Sequence, residues 1–533
     1  MEIEKIMKKI FLILLSLFPL ITYAQDQAVQ LPEFVITGTQ QVNMPVMKKM
    51  RPKLISPLSQ EFFLPAYVPD NLTLGTFATP LKARLLLRKK ENFYNGILDL
   101  RAGLHTMPYG SFVLDKTYGH LLVHGKLWGV DVGDYVKYSN YNESGGETLL
   151  SFYLSKKSKF LPGLKISFGA RGMRNAFYLY GSKHPSFKRE SRKGTVTAMM
   201  QYGTRKKFNF SGRFDASLFT LKENGLKDFN YLFKGYGEYF SSGMGVRLET
   251  VYLRDEYLTT LTSMRQSDFM DGKALLVISP FNSFRLSFGF YFAKEDTNKH
   301  FAPTLSFQFK LDNGVYMLGE YAPRSEYLPF GNMFAKNRFL SLSNLDGIFV
   351  KRGSVIRLAF RLDYGEMVEF TSGLDFRKIS KLPYFEDVNN DGIFELNTLD
   401  EASSYKGFAE LFFKHPRFGM LSARAEINSV RNNSEKVVPY YPLWKTDVSY
   451  VYSFPSGLKT GISLDYFSNF YADLANKKYI KNYFNLSLDL KYQLLDYLEI
   501  TARAENVLNR KNFVFIGYQE KVFDLLLGVR YRF

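Results

Sequence analysis

From about Asn95 to Phe533 the chain repeats one unit, a run of about ten residues with apolar side chains at every second position. Successive side chains on an extended strand point to opposite faces, so each run makes one apolar wall and one polar wall. The closing run is the clearest case. Phe523, Leu525, Leu527, Val529, Tyr531 and Phe533 share one face, while Asp524, Gly528, Arg530 and Arg532 share the other, with Leu526 the single apolar exception. Arg357, Arg361 and Asp363 likewise oppose Ile356, Leu358, Phe360 and Leu362, and Asn485, Ser487, Asp489 and Lys491 oppose Phe484, Leu486, Leu488 and Leu490.

A soluble sandwich shows the same alternation, so link length decides between the two. Short links are predicted at Leu127 to Gly129, Thr204 to Lys206, Ser241 to Gly243, Pro280 to Ser283, Asp312 to Gly314, Asp363 to Glu366, His415 to Gly419, Pro455 to Gly457 and Leu495 to Tyr497. Asn and Gly in these links supply positive φ, and Pro presets φ. Longer polar connections intervene, such as Arg174 to Arg192, Pro323 to Arg352, Lys378 to Ser403 and Arg431 to Pro442. The pattern predicts an all-β fold: a transmembrane antiparallel β-barrel of about 22 strands, with about 10 short periplasmic turns and about 11 long extracellular loops. An even strand number places both ends of the barrel on one side.

The start of the chain agrees with export. Lys5, Lys8 and Lys9 precede an apolar run from Ile10 to Ile21, followed by Thr22 and Ala24 as the small residues at −3 and −1 of a cut after Ala24, so residues 1–24 read as a cleavable signal peptide. That run is well short of the roughly 20 residues of a spanning helix. No later segment is long and apolar enough either, which leaves a closed barrel as the way into a membrane, since lipid tolerates no unpaired backbone. Aromatic residues make up 17% of the chain, with 50 Phe and 36 Tyr, as the interfacial girdles of a barrel need. The absence of Cys excludes disulfides, thiolate metal sites and cysteine catalysis. A net charge of +19 favours anionic partners, here outer-membrane lipid and lipopolysaccharide. Nucleic acid is not expected, because the charges alternate with apolar residues along strands; the cluster Lys48, Lys49, Arg51 and Lys53 reads as a solvated tail.

Three segments carry a family resemblance: Val437 to Asp473, the run LEITARAENVLNRKNF with Glu505, Asn506, Val507, Leu508 and Asn509 at its centre, and the terminal LLLGVRYRF. They resemble the closing strands of TonB-dependent outer-membrane receptors, which implies a 22-stranded barrel and solute transport. The stretch LPEFVITGTQ resembles that family's short segment for its energy-transducing partner, which implies that Leu31, Glu33, Val35, Ile36 and Thr37 pair with a TonB-type protein as an added strand. The likeness then breaks. About 55 residues, including Pro45, Pro52, Pro57, Pro65, Pro69 and Pro80, separate Thr39 from Asn95, where the family carries a globular plug. Lys82 to Gly103 resembles the junction of last plug strand and first barrel strand. The expected division is therefore residues 25–81 as a periplasmic or lumenal segment with a reduced plug, and residues 82–533 as the barrel. A lumen this wide must be occluded by residues 25–81, by inward-folded loops such as Pro323 to Arg352, or by a lumen-filling or lipoprotein partner.

One outer connection holds Asp387, Asn389, Asp391 and Gly392, then Glu395, which matches the first half of an oxygen-ligand Ca²⁺ loop. Thr398 stands where the closing bidentate Glu is expected, so the bland reading is an Asn/Asp/Gly turn. The six histidines show no metal spacing, and no nucleophile elbow, phosphate loop or dinucleotide fingerprint occurs. Asp465 and Glu505 are expected to sit in a lumen-lining ion network. The predicted function is outer-membrane solute transport without a complete plug, and not an enzyme. The alternative is a non-transporting scaffold subunit of an outer-membrane complex.

Overall fold

Twenty-two wall positions result from the alternation, and they close on themselves. The computed structural model describes residues 95–533 apart from 156, 157, 159, 160, 204–206, 261–263, 282, 344, 365 and 366. The expected signal peptide and the segment 25–81 lie outside the described residues.

The first strands are β1 (Gly96–Ala102), β2 (Thr106–Tyr118), β3 (Leu121–Val132), β4 (Tyr141–Tyr153), β5 (Lys165–Tyr178), β6 (Lys188–Gly203), β7 (Phe208–Leu221) and β8 (Leu226–Ser241). There follow β9 (Met244–Leu258), β10 (Arg265–Phe281), β11 (Phe284–Glu295), β12 (Asn298–Asp312), β13 (Val315–Tyr321), β14 (Arg324–Leu328), helix α1 (Phe330–Lys336), β15 (Ile348–Tyr364) and β16 (Val368–Ser380). A small hairpin, β17 (Leu382–Glu386) and β18 (Glu395–Leu399), precedes β19 (Ala402–His415), β20 (Gly419–Asn432), β21 (Trp444–Ser453) and β22 (Leu458–Phe467). The pair β23 (Phe470–Tyr471) and β24 (Tyr479–Ile480), then β25 (Tyr483–Leu495), β26 (Leu498–Glu505), the pair β27 (Phe513–Phe515) and β28 (Tyr518–Gln519), and β29 (Asp524–Arg532) complete the chain.

The main sheet has 23 strands, but β13 and β14 both pair with β15, so they fill one position and the wall has 22. Closure is made by β1, which pairs with β2 on one side and β29 on the other. The two walls predicted for each strand separate as expected. On β29, Leu525, Leu527, Val529 and Tyr531 are exposed outward, as is Phe533 just after it, while Asp524 and Leu526 are buried inward. Exposed rings at the ends of strands, including Tyr118, Tyr239, Phe281, Tyr364, Phe418 and Phe533, form a girdle at the periplasmic end.

The lumenal wall is an ion network. Asp99 takes Arg101 at 2.7 Å and Arg530 at 2.6 Å across the closing seam, and Arg532 meets Glu499 at 2.7 Å. Glu505 pairs with Arg503 at 2.9 Å and Lys521 at 2.6 Å, as its sequence position suggested. Asp465 differs: it stands directly opposite Asp447 and beside Asn485, because β21 and β22 carry acids in register.

Two link predictions need correction. Leu127 to Gly129 is not a turn but lies inside β3, where the glycines face open space and the alternation continues through them. Outer links are also not uniformly long, since two residues, 296 and 297, join β11 to β12. The Asn-Gly link between β12 and β13 is correct. Gly314 has φ +82°, and a β-carbon there would stand 2.0 Å from the Asp363 carbonyl oxygen. Gly314→Ala should therefore cost about 1–3 kcal/mol, read as a lower midpoint of urea unfolding in detergent; an unchanged midpoint would show that the turn relaxes freely.

Candidate functional site: the outer mouth of the barrel

The chain after β13 leaves the wall. Strand β14 stays paired with β15, but on its other side the Tyr291 hydroxyl replaces a strand: Ser325 N–H donates to it at 2.7 Å and it donates to the Ser325 carbonyl at 3.2 Å. Pro329 then starts α1, whose Phe330, Gly331, Met333 and Phe334 are buried. Proline at this point suits a helix start, because its fixed φ costs no needed N–H. Phe334 packs on Phe219 of β7 at 5.1 Å and on Phe177 of β5 at 6.4 Å. Those strands lie far round the ring from β13 and β15, so the loop reaches them only by crossing the mouth.

Polar contacts fix this crossing. Asp228 and Asp255, both buried at the outer ends of β8 and β9, hold the loop: Gly331 N–H donates to Asp228 at 2.8 Å, and the Tyr327 hydroxyl donates to Asp255 at 3.0 Å. Arg189 is fully buried, bonds Glu223 at 2.6 Å, and donates to the Leu340 carbonyl at 2.7 Å. A buried guanidinium is tolerable only when its donors are satisfied in this way.

Five further outer connections pack with the loop that carries α1 or with one another. Phe339 stacks on Tyr518 with ring centres 3.5 Å apart, and Phe394 packs on Phe515 at 5.2 Å and Tyr440 at 5.8 Å. Tyr440 in turn meets Phe470 at 6.0 Å. Backbone bonds stitch the loops together: Ser341 N–H to Phe394 O at 2.7 Å, Lys183 N–H to Asp391 O at 2.9 Å, and the Tyr518 hydroxyl to Gly392 O at 2.7 Å. Burial pushes the Tyr180 phenol up to about 12, and raises those of Tyr440 and Tyr518, so all three stay neutral; Tyr180 and Tyr518 donate to the Gln519 and Gly392 carbonyls. An apolar core drawn from residues near 180, 330, 390, 440 and 515, with a smaller cluster of Phe470, Ala472 and Ile480 against Tyr440, thus joins the outer loops at the mouth.

The residues singled out in sequence fall as follows. Leu31, Glu33, Val35, Ile36 and Thr37 lie outside the described residues. Asp387, Asn389, Asp391 and Glu395 lie at the tip of the β17–β18 hairpin, where Asn389 is exposed. Asp387 accepts the amides of Asp391 and Gly392 at 2.9 and 3.0 Å, Asp391 accepts the amide of Ile393 at 2.9 Å, and Asn389 donates to Glu395 at 2.8 Å. Among the described residues no three acidic or imidazole groups converge on a point that could hold a metal. The inward turn of Pro323 to Arg352 was legible as one way to occlude the lumen. The aromatic partners of that loop were not, because loop residues carry no period.

No family profile and no curated protein matches the sequence. Solved structures do. The ferric-catecholate import receptor Fiu from E. coli K12 aligns over 84% of this chain and 82% of its own, at 11% identity and TM-score 0.61. The FrpB iron transporter from Neisseria meningitidis aligns over 83% and 82%, at 9% identity and TM-score 0.64. The siderophore receptor PiuA from Acinetobacter baumannii aligns over 84% and 82%, at 10% identity and TM-score 0.59. At such identities the likeness is one of fold, and it agrees with the independently counted wall. The chain is an outer-membrane β-barrel with the 22-stranded fold of the iron and siderophore receptors.

Proposed function

We propose that this chain imports a solute of the iron-chelate type across the outer membrane, as a TonB-dependent-receptor-like barrel with a reduced plug. One observation carries the reading. The barrel's outer loops pack on one another through a shared apolar core, an arrangement suited to restricting a wide lumen, as an importer of scarce ligands requires and an open porin does not. The solved structures it resembles are named as receptors and transporters of such ligands. Residues 31–37 then serve as the strand added to a TonB-type partner.

Deleting Leu31 to Thr37 should abolish growth on ferric chelates at limiting iron while barrel abundance in the outer membrane stays unchanged. Growth equal to the parent on every chelate tested would remove energised import. The scaffold alternative draws support from the cap's density, since Met333, Leu340, Phe394 and Val438 are 0% exposed. A stoichiometric protein retained through detergent purification, with no conductance after the cap is cut away, would favour it.

A further inference from the structure

Outward side chains of neighbouring strands fall into cross-strand rows, and one stretch of the wall carries an unusual pair of them. The first row reads Leu127, Gly146, Gly172, Gly194, Leu218 and Phe229 from β3 to β8. Three adjacent glycines between bulky ends leave a trough, and the next row toward the periplasm carries Ala170 and Ala216 on either side of Val196. Together they line a groove of about 560 Å³ on the lipid-facing surface. Packing does not demand two of those glycines: a β-carbon at Gly172 or Gly194 would meet nothing within 4 Å, whereas at Gly146 it would stand 2.8 Å from the Leu127 side chain.

The row on the outer side of the groove is cationic. It reads Ser144, Arg174, Arg192, Thr220 and Lys227. The Arg174 and Arg192 side chains are 47% and 67% exposed and share one carboxylate, Glu190, at 3.0 and 2.7 Å. Exposed Lys227 stands opposite Thr220 and Leu258. Three cations against one acid leave guanidinium donors turned outward, where they suit phosphate. Below the groove the wall is plain hydrocarbon surface, with Leu150, Phe168, Phe214 and Phe233 all exposed. The trough therefore sits where the apolar band meets the headgroups of the outer leaflet.

We propose that this groove is a binding site for the phosphorylated, multiply acylated glycolipid of the outer leaflet: an acyl chain lies across Gly146, Gly172 and Gly194, and a phosphate is held by Arg174, Arg192 and Lys227. The charge complementarity selects a phosphorylated lipid, and the position at the outer end of the strands selects the outer leaflet's own. The inference concerns the outer wall and does not depend on what the lumen transports.

The test uses the full chain in detergent, stripped of lipid, with bisphosphorylated lipid A as probe and native mass spectrometry as readout. One lipid per barrel should remain bound under conditions that remove phosphatidylglycerol and dephosphorylated lipid A. Replacing Arg174, Arg192 and Lys227 together by Gln should weaken retention about tenfold or more. Gly172→Leu with Gly194→Leu fills the trough, leaves every cation in place, and should weaken it by a similar factor of about ten. Heat-modifiable mobility on gels shows that each variant is a folded barrel. Retention by the leucine variant equal to the parent, or equal retention of phosphatidylglycerol, would overturn the proposal.

Discussion

Replacing Phe394 by Ala will loosen the outer cap while leaving the wall intact. Phe394 is fully buried at the meeting point of the cap, touching the rings of Tyr440, Phe515 and Tyr518. Its backbone also joins two loops, accepting from Ser341 and donating to Phe339 O. Truncating a buried phenylalanine removes transfer free energy and leaves a cavity, a loss of about 3–5 kcal/mol. That loss falls on the cap and not on the strand ladders, which bond independently of it. Hydrogen exchange should therefore rise in residues 381–401 and 506–523, with the strand amides as protected as before. The same variant in a planar bilayer should show brief conducting events. Unchanged exchange in both loops would mean that the cap does not depend on its central ring.

The second large effect is expected at the closing seam. Asp99 is 4% exposed and takes two guanidiniums, Arg101 from its own strand and Arg530 from β29. Asp99→Ala leaves these cations facing each other across the joint between first and last strands. Removing one partner of a buried ion pair costs about 3–5 kcal/mol when nothing else compensates the remaining charge; here Glu499 stays 3.6 Å from Arg530, so the cost falls mainly on Arg101 and lies toward the lower end of that range. At this joint the cost opposes barrel closure itself. The folded, heat-modifiable fraction should fall sharply in refolding from urea, and the triple variant Asp99→Ala, Arg101→Ala, Arg530→Ala should recover much of it. A normal yield of Asp99→Ala would show that the seam is held by backbone bonds alone.

The wall was legible in the sequence because alternation is a local property: the faces of β29 and β15 can be assigned from neighbours two residues apart. Turns were mostly legible for the same reason, since Asn313 and Gly314 carry their backbone preference with them. Glycine was the exception at Gly129, where a residue that usually marks a turn lies inside a strand. In a barrel wall a glycine can also shape the surface against lipid, and composition does not distinguish these uses. The cap was only partly legible. Pro323 to Arg352 stood out as a long connection that could fold inward, but no local pattern joins Phe339 to Tyr518 or Arg189 to Leu340. Such pairs are set by where the closed ring brings the loops, which is a property of the finished wall.

That dependence has a consequence for the order of assembly. The Tyr180 hydroxyl donates to the Gln519 carbonyl at 2.6 Å across a sequence separation of 339, and Tyr518 reaches Gly392 across 126. Contacts so distant along the chain carry a large loop-closure entropy until the ring has already drawn their ends together. The small hairpins and α1 are local, but the contacts that join them are not, so the joined cap is expected to form after the wall. In that order the outer end of the cylinder is expected to be less covered during insertion than in the finished molecule, and pulse-labelled hydrogen exchange would show the strand amides protected before those of the cap.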